Sequence, residues 1–305
     1  MTKRSPILQK QPPARKDEGL MTTPPPDGSR DRRIEDPSNR WLIHLTARAL
    51  LPPALRARVS ANAVSLGGLA LGIGAALAYA GWRTPGLALV GLILSLCWLI
   101  ADGLDGMIAR ATGTSSAFGR FLDGACDHGV FALLYIALAC SIGTAHAWVL
   151  AVTAGVAHAV QSSLYEGDRA RFHRRSKGVV EIMPPKLSTN PLVRLYDTVA
   201  GSIGRLGRPL EEALAASTDP VELGRAYAAQ AVAPMRLMIL LTANTRVFVL
   251  FLACIVGRPQ LFWWAEIVAM TPVAALGLAW HRRVEGQFAV ESALFHRGDR
   301  PSSFA

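Results

Sequence analysis

Charge is what this sequence has least of. Only 18% of its 305 residues are Asp, Glu, Lys or Arg and 51% are hydrophobic, with a mean hydropathy of +0.28. A soluble chain carries nearer a quarter charged residues, so much of this surface meets something other than water. Acidic charge is the scarcer kind: 22 Asp and Glu stand against 32 Lys and Arg, a formal net charge of +10. No nucleic-acid-binding motif accompanies that excess, which argues against a nucleic-acid partner and for the basic edges of membrane spans. Cysteine is also sparse. Cys97, Cys126, Cys140 and Cys254 all lie in apolar stretches without CxxC spacing, so they read as small core residues and not as a disulfide framework or zinc site. No apolar core of signal-peptide type follows Met1.

What is present is organised by hydropathy. Residues 1–37, with Lys3, Arg4, Lys10, Lys16 and the run Pro24-Pro25-Pro26, have the composition of a disordered tail. Over 38–58, Trp41, Leu42, Leu45, Ala49 and Leu50 recur at helical spacing beside Arg40 and Arg48, the pattern of an amphipathic interfacial helix. Pro52-Pro53 and Arg56-Ala57-Arg58 keep it from running on as a span. Six apolar segments follow within 59–281, each close to the ~20 residues that cross a hydrocarbon core. They run from Ala61 to Trp82, Pro85 to Ala109, Phe118 to Ile142, Ala147 to Tyr165, Met235 to Val256 and Leu261 to Trp280. The predicted fold class is therefore all-α and polytopic, with six transmembrane helices.

The turns are short except for a polar insertion, 166–234, in which Pro191–Ile203, Leu210–Ala216 and Val221–Val232 are candidate helices, the last running towards the fifth span until Pro234. Twelve Lys and Arg precede the first span, ten lie in the insertion, and Arg282, Arg283, Arg297 and Arg300 lie in the tail, 282–305. The opposite turns hold only Arg83 and Arg258. This asymmetry predicts that both termini and the insertion are cytoplasmic, in a bacterial-type inner membrane.

Charged groups inside spans cost at least ~2.5 kcal/mol each near the centre. Four nevertheless cluster around one turn: Asp102 and Asp105 end the second span, and Asp123 and Asp127 begin the third. At ~100° per residue, Asp102, Asp105, Gly106 and Ala109 share a sector of about 100°, and Gly119, Asp123 and Asp127 one of about 80°. An antiparallel fold about Thr114 and Ser115 sets Asp102 opposite Asp127 and Gly106 opposite Asp123. Four converging carboxylates repel one another unless cations neutralise them. Hard oxygen ligands of this number suit two Mg²⁺ or Mn²⁺ ions. Gly106, Ala109 and Gly119 leave both faces without bulk for a ligand, and Arg110 can reach a phosphate oxygen.

The pattern Asp-x2-Asp-Gly-x2-Ala-Arg-x8-Gly-x3-Asp-x3-Asp resembles the signature of the CDP-alcohol phosphotransferases, integral membrane enzymes that make phospholipids. Asp102, Asp105, Gly106, Ala109, Arg110, Gly119, Asp123 and Asp127 match it without departure, eight positions over 26 residues. The resemblance implies a homodimer with a two-metal site that breaks the pyrophosphate of a CDP-linked donor, CDP-diacylglycerol for a phosphatidyl transfer, and releases CMP to leave a substituted phosphate on an acceptor hydroxyl. It implies further that Asp102, Asp105, Asp123 and Asp127 bind the metals, that Asp127 is the candidate base, and that Gly106, Ala109, Arg110 and Gly119 line the pocket for the CDP moiety. The family's Pro-Asn pair at the first span is reduced here to Asn62, with Ala61 before it. Asn62 reads either as a nucleotide contact or as a helix cap.

Acceptor residues are expected in the later spans. Candidates are Tyr165, Glu166, Arg169 and Arg171 after the fourth span and Asn244, Thr245 and Arg246 in the fifth. Arg246 fits either a phosphate-bearing substrate or a salt bridge to Glu266. Two other classes fit the sequence less well. A membrane metal-ion carrier needs a polar path through both leaflets, and the outer halves of these spans are nearly uncharged. A catalytically idle member of the fold is expected to lose motif residues, and all eight are present.

Overall fold

The computed structural model describes residues 31–180 and 208–297, and every regular element among them is helical. A π-helical turn, Asn39–Ile43, leads into α1, His44–Arg56; α2 covers Ala61–Ala80, α3 Pro85–Thr112, α4 Ala117–Ile142 and α5 Ala145–Arg175. Beyond residue 207 come α6, Arg208–Ala216, and α7, Pro220–Met238. A 3-10 turn, Ile239–Leu241, precedes α8, Ala243–Ile255; α9, Gln260–Trp264, then passes through π-helical Ala265–Met270 into α10, Thr271–Arg297. Side-chain oxygens mark the starts. Ser60, Ser116, Thr144, Asp219 and Thr242 each accept a backbone N–H of the first turn of α2, α4, α5, α7 and α8.

Helices α2, α3, α4, α5 and the continuous stretch Gln260–Val290 are long and apolar enough to cross a membrane, and α7 with α8, bent by 40°, completes a sixth candidate. Their outward faces are apolar: Leu77, Ile93, Val149, Val152, Val156 and Leu276 are all exposed. Such faces are stable against lipid tails and not against water. The protein is an all-α, multi-pass membrane protein.

The architecture around the aspartates differs from a simple hairpin. Helices α3 and α4 do not lie along each other; both pack on α2, which sits between them. Small residues on α2 permit this. A Cβ on Gly72 would come within 2.2 Å of Val130 Cγ2, and one on Gly68 would touch Ala101 and Trp98 at 3.4 Å. Such close approach is the usual use of glycine in membrane helices. The turn between α3 and α4 is made by Gly113, in the left-handed region at φ 66°, with Thr114 N–H returning to the Ala109 carbonyl.

Several boundaries drawn from hydropathy move. The fourth span is a helix to Arg175, ten residues into the predicted insertion. Its extension hides Asp168, Arg171, Phe172 and Arg175, residues at i, i+3, i+4 and i+7, against the later helices. Pro234 lies inside α7 and does not end it; the fifth span breaks instead at 239–242, where Thr242 is extended and caps α8. Likewise α1 runs through Pro52 and Pro53. The predicted tail from 282 is helix to Arg297. Residues 31–37, assigned to the polar tail, are docked: Ile34 is buried beside Tyr165 and Tyr227, and Asp36 accepts hydrogen bonds from Ser38 N–H (2.7 Å) and Thr242 Oγ1 (2.7 Å). Of the insertion's candidate helices, Leu210–Ala216 is α6 and Val221–Val232 lies in α7; Pro191–Ile203 falls outside the described residues.

The described parts of the insertion, 166–180 and 208–234, are held by a buried charge network. Asp168 accepts from Arg171, from His281 Nδ1 at 2.9 Å and from Arg282 at 3.0 Å, while Tyr227 Oη meets His281 Nε2 at 2.6 Å. Arg175 bridges Glu211 of α6 (2.8 Å) and Glu285 of α10. These contacts join α5, α6, α7 and α10 into one body on the side of the aspartates.

Candidate active site

Asp102, Asp123 and Asp127 come together across the space that α2 opens between α3 and α4. Each offers a carboxylate oxygen within 4.8 Å of the others. Asp105 lines the same small cavity with Ser65, Gly68, Trp98 and Cys126. Its Oδ2 accepts a 2.5 Å hydrogen bond from Ser65 Oγ, which fixes a carboxylate that is itself buried. The donor set is oxygen throughout, clustered and half-buried, so it fits a hard divalent cation and not a soft one. Asp105 stands beside the three-carboxylate group and not within it, a division that helical spacing alone does not reveal.

The other motif residues lie on the same two helices, outside the set that lines this cavity. Gly106 lies one turn from Asp102, and a Cβ there would press on Arg110 Nη1 at 3.3 Å, so the missing side chain gives the guanidinium room to fold back along α3. Ala109 is in the next turn of the same helix. Gly119 begins α4 under the Ser116 cap (2.9 Å), and a Cβ on it would sit 3.8 Å from Asn62 Oδ1. Asn62 therefore faces a motif position. The capping role falls to Ser60, whose Oγ accepts the Ala63 N–H at 3.2 Å; Asn62 as helix cap is corrected.

The acceptor candidates separate into two groups. Glu166 lies near enough to Asp123, and Arg169 to Asp102, for their charges to act on each other, and the two side chains pair at 3.3 Å. Arg169 also lies over the Tyr165 ring at 5.9 Å. The remainder are engaged elsewhere. Arg171 is buried against Asp168. Arg246 pairs with Glu266 at 2.9 Å, donates to Gln161 Oε1 at 2.8 Å and satisfies the Leu241 carbonyl left open by the helix break. The salt bridge to Glu266, and not a substrate phosphate, is thus what Arg246 serves, because the break in α7–α8 frees a carbonyl that must be satisfied in the apolar interior. Asn244 Nδ2 donates to Ser38 Oγ (2.7 Å) and Asn39 Oδ1 (2.8 Å), and Thr245 Oγ1 lies 3.2 Å from Thr242 Oγ1; both hold the break and the segment before α1.

Sequence reasoning missed Ser65, Trp98 and Cys126 at the cavity. Ser65 was within reach, since a serine three residues after Asn62 shares its helix face. Trp98 and Cys126 gave no signal apart from any other buried apolar residue.

Fold and site together define a multi-pass helical membrane protein with a carboxylate-lined cavity at the ends of two spans. Residues 58–175 match the family model for CDP-alcohol phosphatidyltransferase, a stretch that contains Asn62, all eight motif residues, Glu166 and Arg169. No curated protein matches the chain and no solved structure does. The family match supports phosphotransferase activity in lipid synthesis.

Proposed function

We propose that this protein transfers a phosphatidyl group from CDP-diacylglycerol to an acceptor hydroxyl, releasing CMP, as a homodimer at the cytoplasmic face of the membrane with Mg²⁺ or Mn²⁺. The observation that carries this reading is the group Asp102, Asp123 and Asp127, with oxygens within 4.8 Å of one another, inside the segment that matches the family. Asp102, Asp105, Asp123 and Asp127 would hold the ions. Divalent ions supply charge neutralisation of the pyrophosphate and of the leaving CMP.

The chain's own residues do the rest. Asn62, Gly106, Ala109, Arg110 and Gly119 admit and orient the CDP moiety, the small residues by letting it approach the backbone and Arg110 by pairing with a phosphate oxygen. The acceptor oxygen forms its bond to the phosphorus that bears the diacylglycerol, the bond from that phosphorus to the CMP oxygen breaks, and CMP departs with the electron pair. The hydroxyl proton passes to Asp127. The test is CMP release by the purified chain in nanodiscs with CDP-diacylglycerol, Mg²⁺ and a mixed pool of alcohols, the lipid products being identified by mass spectrometry. No CMP with any alcohol sinks the proposal.

A further inference from the structure

Ser65 lines the aspartate cavity although it is no part of the eight-residue motif. Its hydroxyl has two acceptors within reach, Asp105 Oδ2 at 2.5 Å and the Ala61 carbonyl of its own helix at 3.2 Å. One hydrogen cannot serve both. A serine in a helix returns readily to the carbonyl four residues back, but a short hydroxyl–carboxylate bond is roughly twice as strong as a neutral one. The hydroxyl therefore belongs to Asp105.

That bond joins two spans, α2 and α3. It forms because the two helices approach closely one turn further on, where a Cβ at Gly68 would touch Ala101 and Trp98 at 3.4 Å, and because both partners are buried. Asp105 is also the motif aspartate that stands outside the group of Asp102, Asp123 and Asp127. A side chain held in this way is oriented before any cation arrives, so binding loses less rotamer freedom. Partners that hydrogen-bond a metal-binding carboxylate change metal affinity by about 10–100-fold when removed.

We propose that Ser65 is a positioning residue of the cation site: its hydroxyl sets the orientation in which Asp105 meets a divalent ion, and with it the affinity of the site for that ion. The inference rests on the metal-dependent reading above and adds a residue that acts through Asp105; the bonds made and broken in the transfer are unchanged.

The experiment titrates the full chain in nanodiscs with Mn²⁺ alone, without donor or acceptor, and reads binding from the loss of the free-ion electron paramagnetic resonance signal. Ser65→Ala, which removes one oxygen and adds no bulk, is expected to weaken Mn²⁺ binding by about tenfold or more. In an Asp105→Asn background the same change should weaken it by less than about twofold, because residues that act through one another are not additive. The thermal midpoint in chelator, measured in parallel, separates positioning from packing. A lowered midpoint with unchanged Mn²⁺ affinity in Ser65→Ala makes Ser65 a packing residue and overturns the proposal. A full tenfold loss in the Asp105→Asn background overturns it too, since Ser65 would then act by another route. If the wild type binds no Mn²⁺, the metal-dependent reading falls and takes this inference with it, whereas equal binding by wild type and Ser65→Ala sinks this inference alone.

Discussion

Asp102 and Asp127 sit in the same three-carboxylate group, but their expected tasks differ. A carboxylate that touches a cation has a lowered proton affinity and is a weak base, so Asp127 can take the acceptor proton only late in the transfer. Asp127→Asn is therefore expected to keep measurable binding of the CDP donor while losing transfer, and Asp102→Asn to lose both. Equal loss of donor binding in the two variants would make Asp127 a ligand only. Asp123→Asn should lower kcat by at least about a hundredfold with the protein still inserted, a loss of the size seen when one charge-stabilising group is removed. Excess chelator should abolish wild-type turnover and Mg²⁺ should restore it; full activity in chelator would remove the metal requirement. The motif residues were legible one by one, since aspartate inside a span has few other uses. Ser65 was not legible as a partner of Asp105, because a hydroxyl in a helix satisfies its own backbone as readily as a distant carboxylate.

At the scale of elements, the break between α7 and α8 is stabilised by Arg246, which reaches Leu241, Gln161 and Glu266. Both ions are buried. Removing Arg246 leaves Glu266 with His158 Nδ1, 3.6 Å away, as its remaining ionisable neighbour in an apolar surround, which costs up to about 3–5 kcal/mol, whereas replacing both Arg246 and Glu266 with apolar residues is milder. Arg246→Leu should therefore lower the thermal midpoint in detergent markedly, and Arg246→Leu/Glu266→Leu should recover much of the loss. A double variant as unstable as the single one would show that the pair has a role beyond mutual neutralisation. Helix existence was readable from apolar runs near bilayer length. Helix ends were not, because α5 and α10 continue past the apolar stretch on faces whose buried side chains are Asp168, Arg175, His281 and Glu285. A polar residue that finds its partner in another helix reads, in one dimension, as solvent-facing.

For the whole molecule, the distribution of arginine and lysine sets an expected orientation. The segment joining α6 to α7, residues 217–219, lies in the insertion that carries the basic excess. With Cys97, Cys126, Cys140 and Cys254 replaced by alanine, a single cysteine in place of Thr218 should resist a membrane-impermeant thiol reagent in sealed cells and react once the membrane is opened. Labelling in sealed cells reverses the topology. That expected orientation would put the aspartates on the cytoplasmic side.

The amino-acid sequence by itself determined that the chain is helical and membrane-embedded, and which carboxylates gather at the ends of two spans. Both follow from local quantities: the length of apolar runs and the expense of charge within them. Tertiary structure alone decided that α2 separates α3 from α4, that residues 31–39 and the described parts of the insertion, 166–180 and 208–234, are docked, and that Arg171 and Arg246 are taken by Asp168 and Glu266 while Arg169 pairs with Glu166. These depend on which residues distant in sequence meet. Ion pairing at low dielectric is decided by that meeting and not by composition.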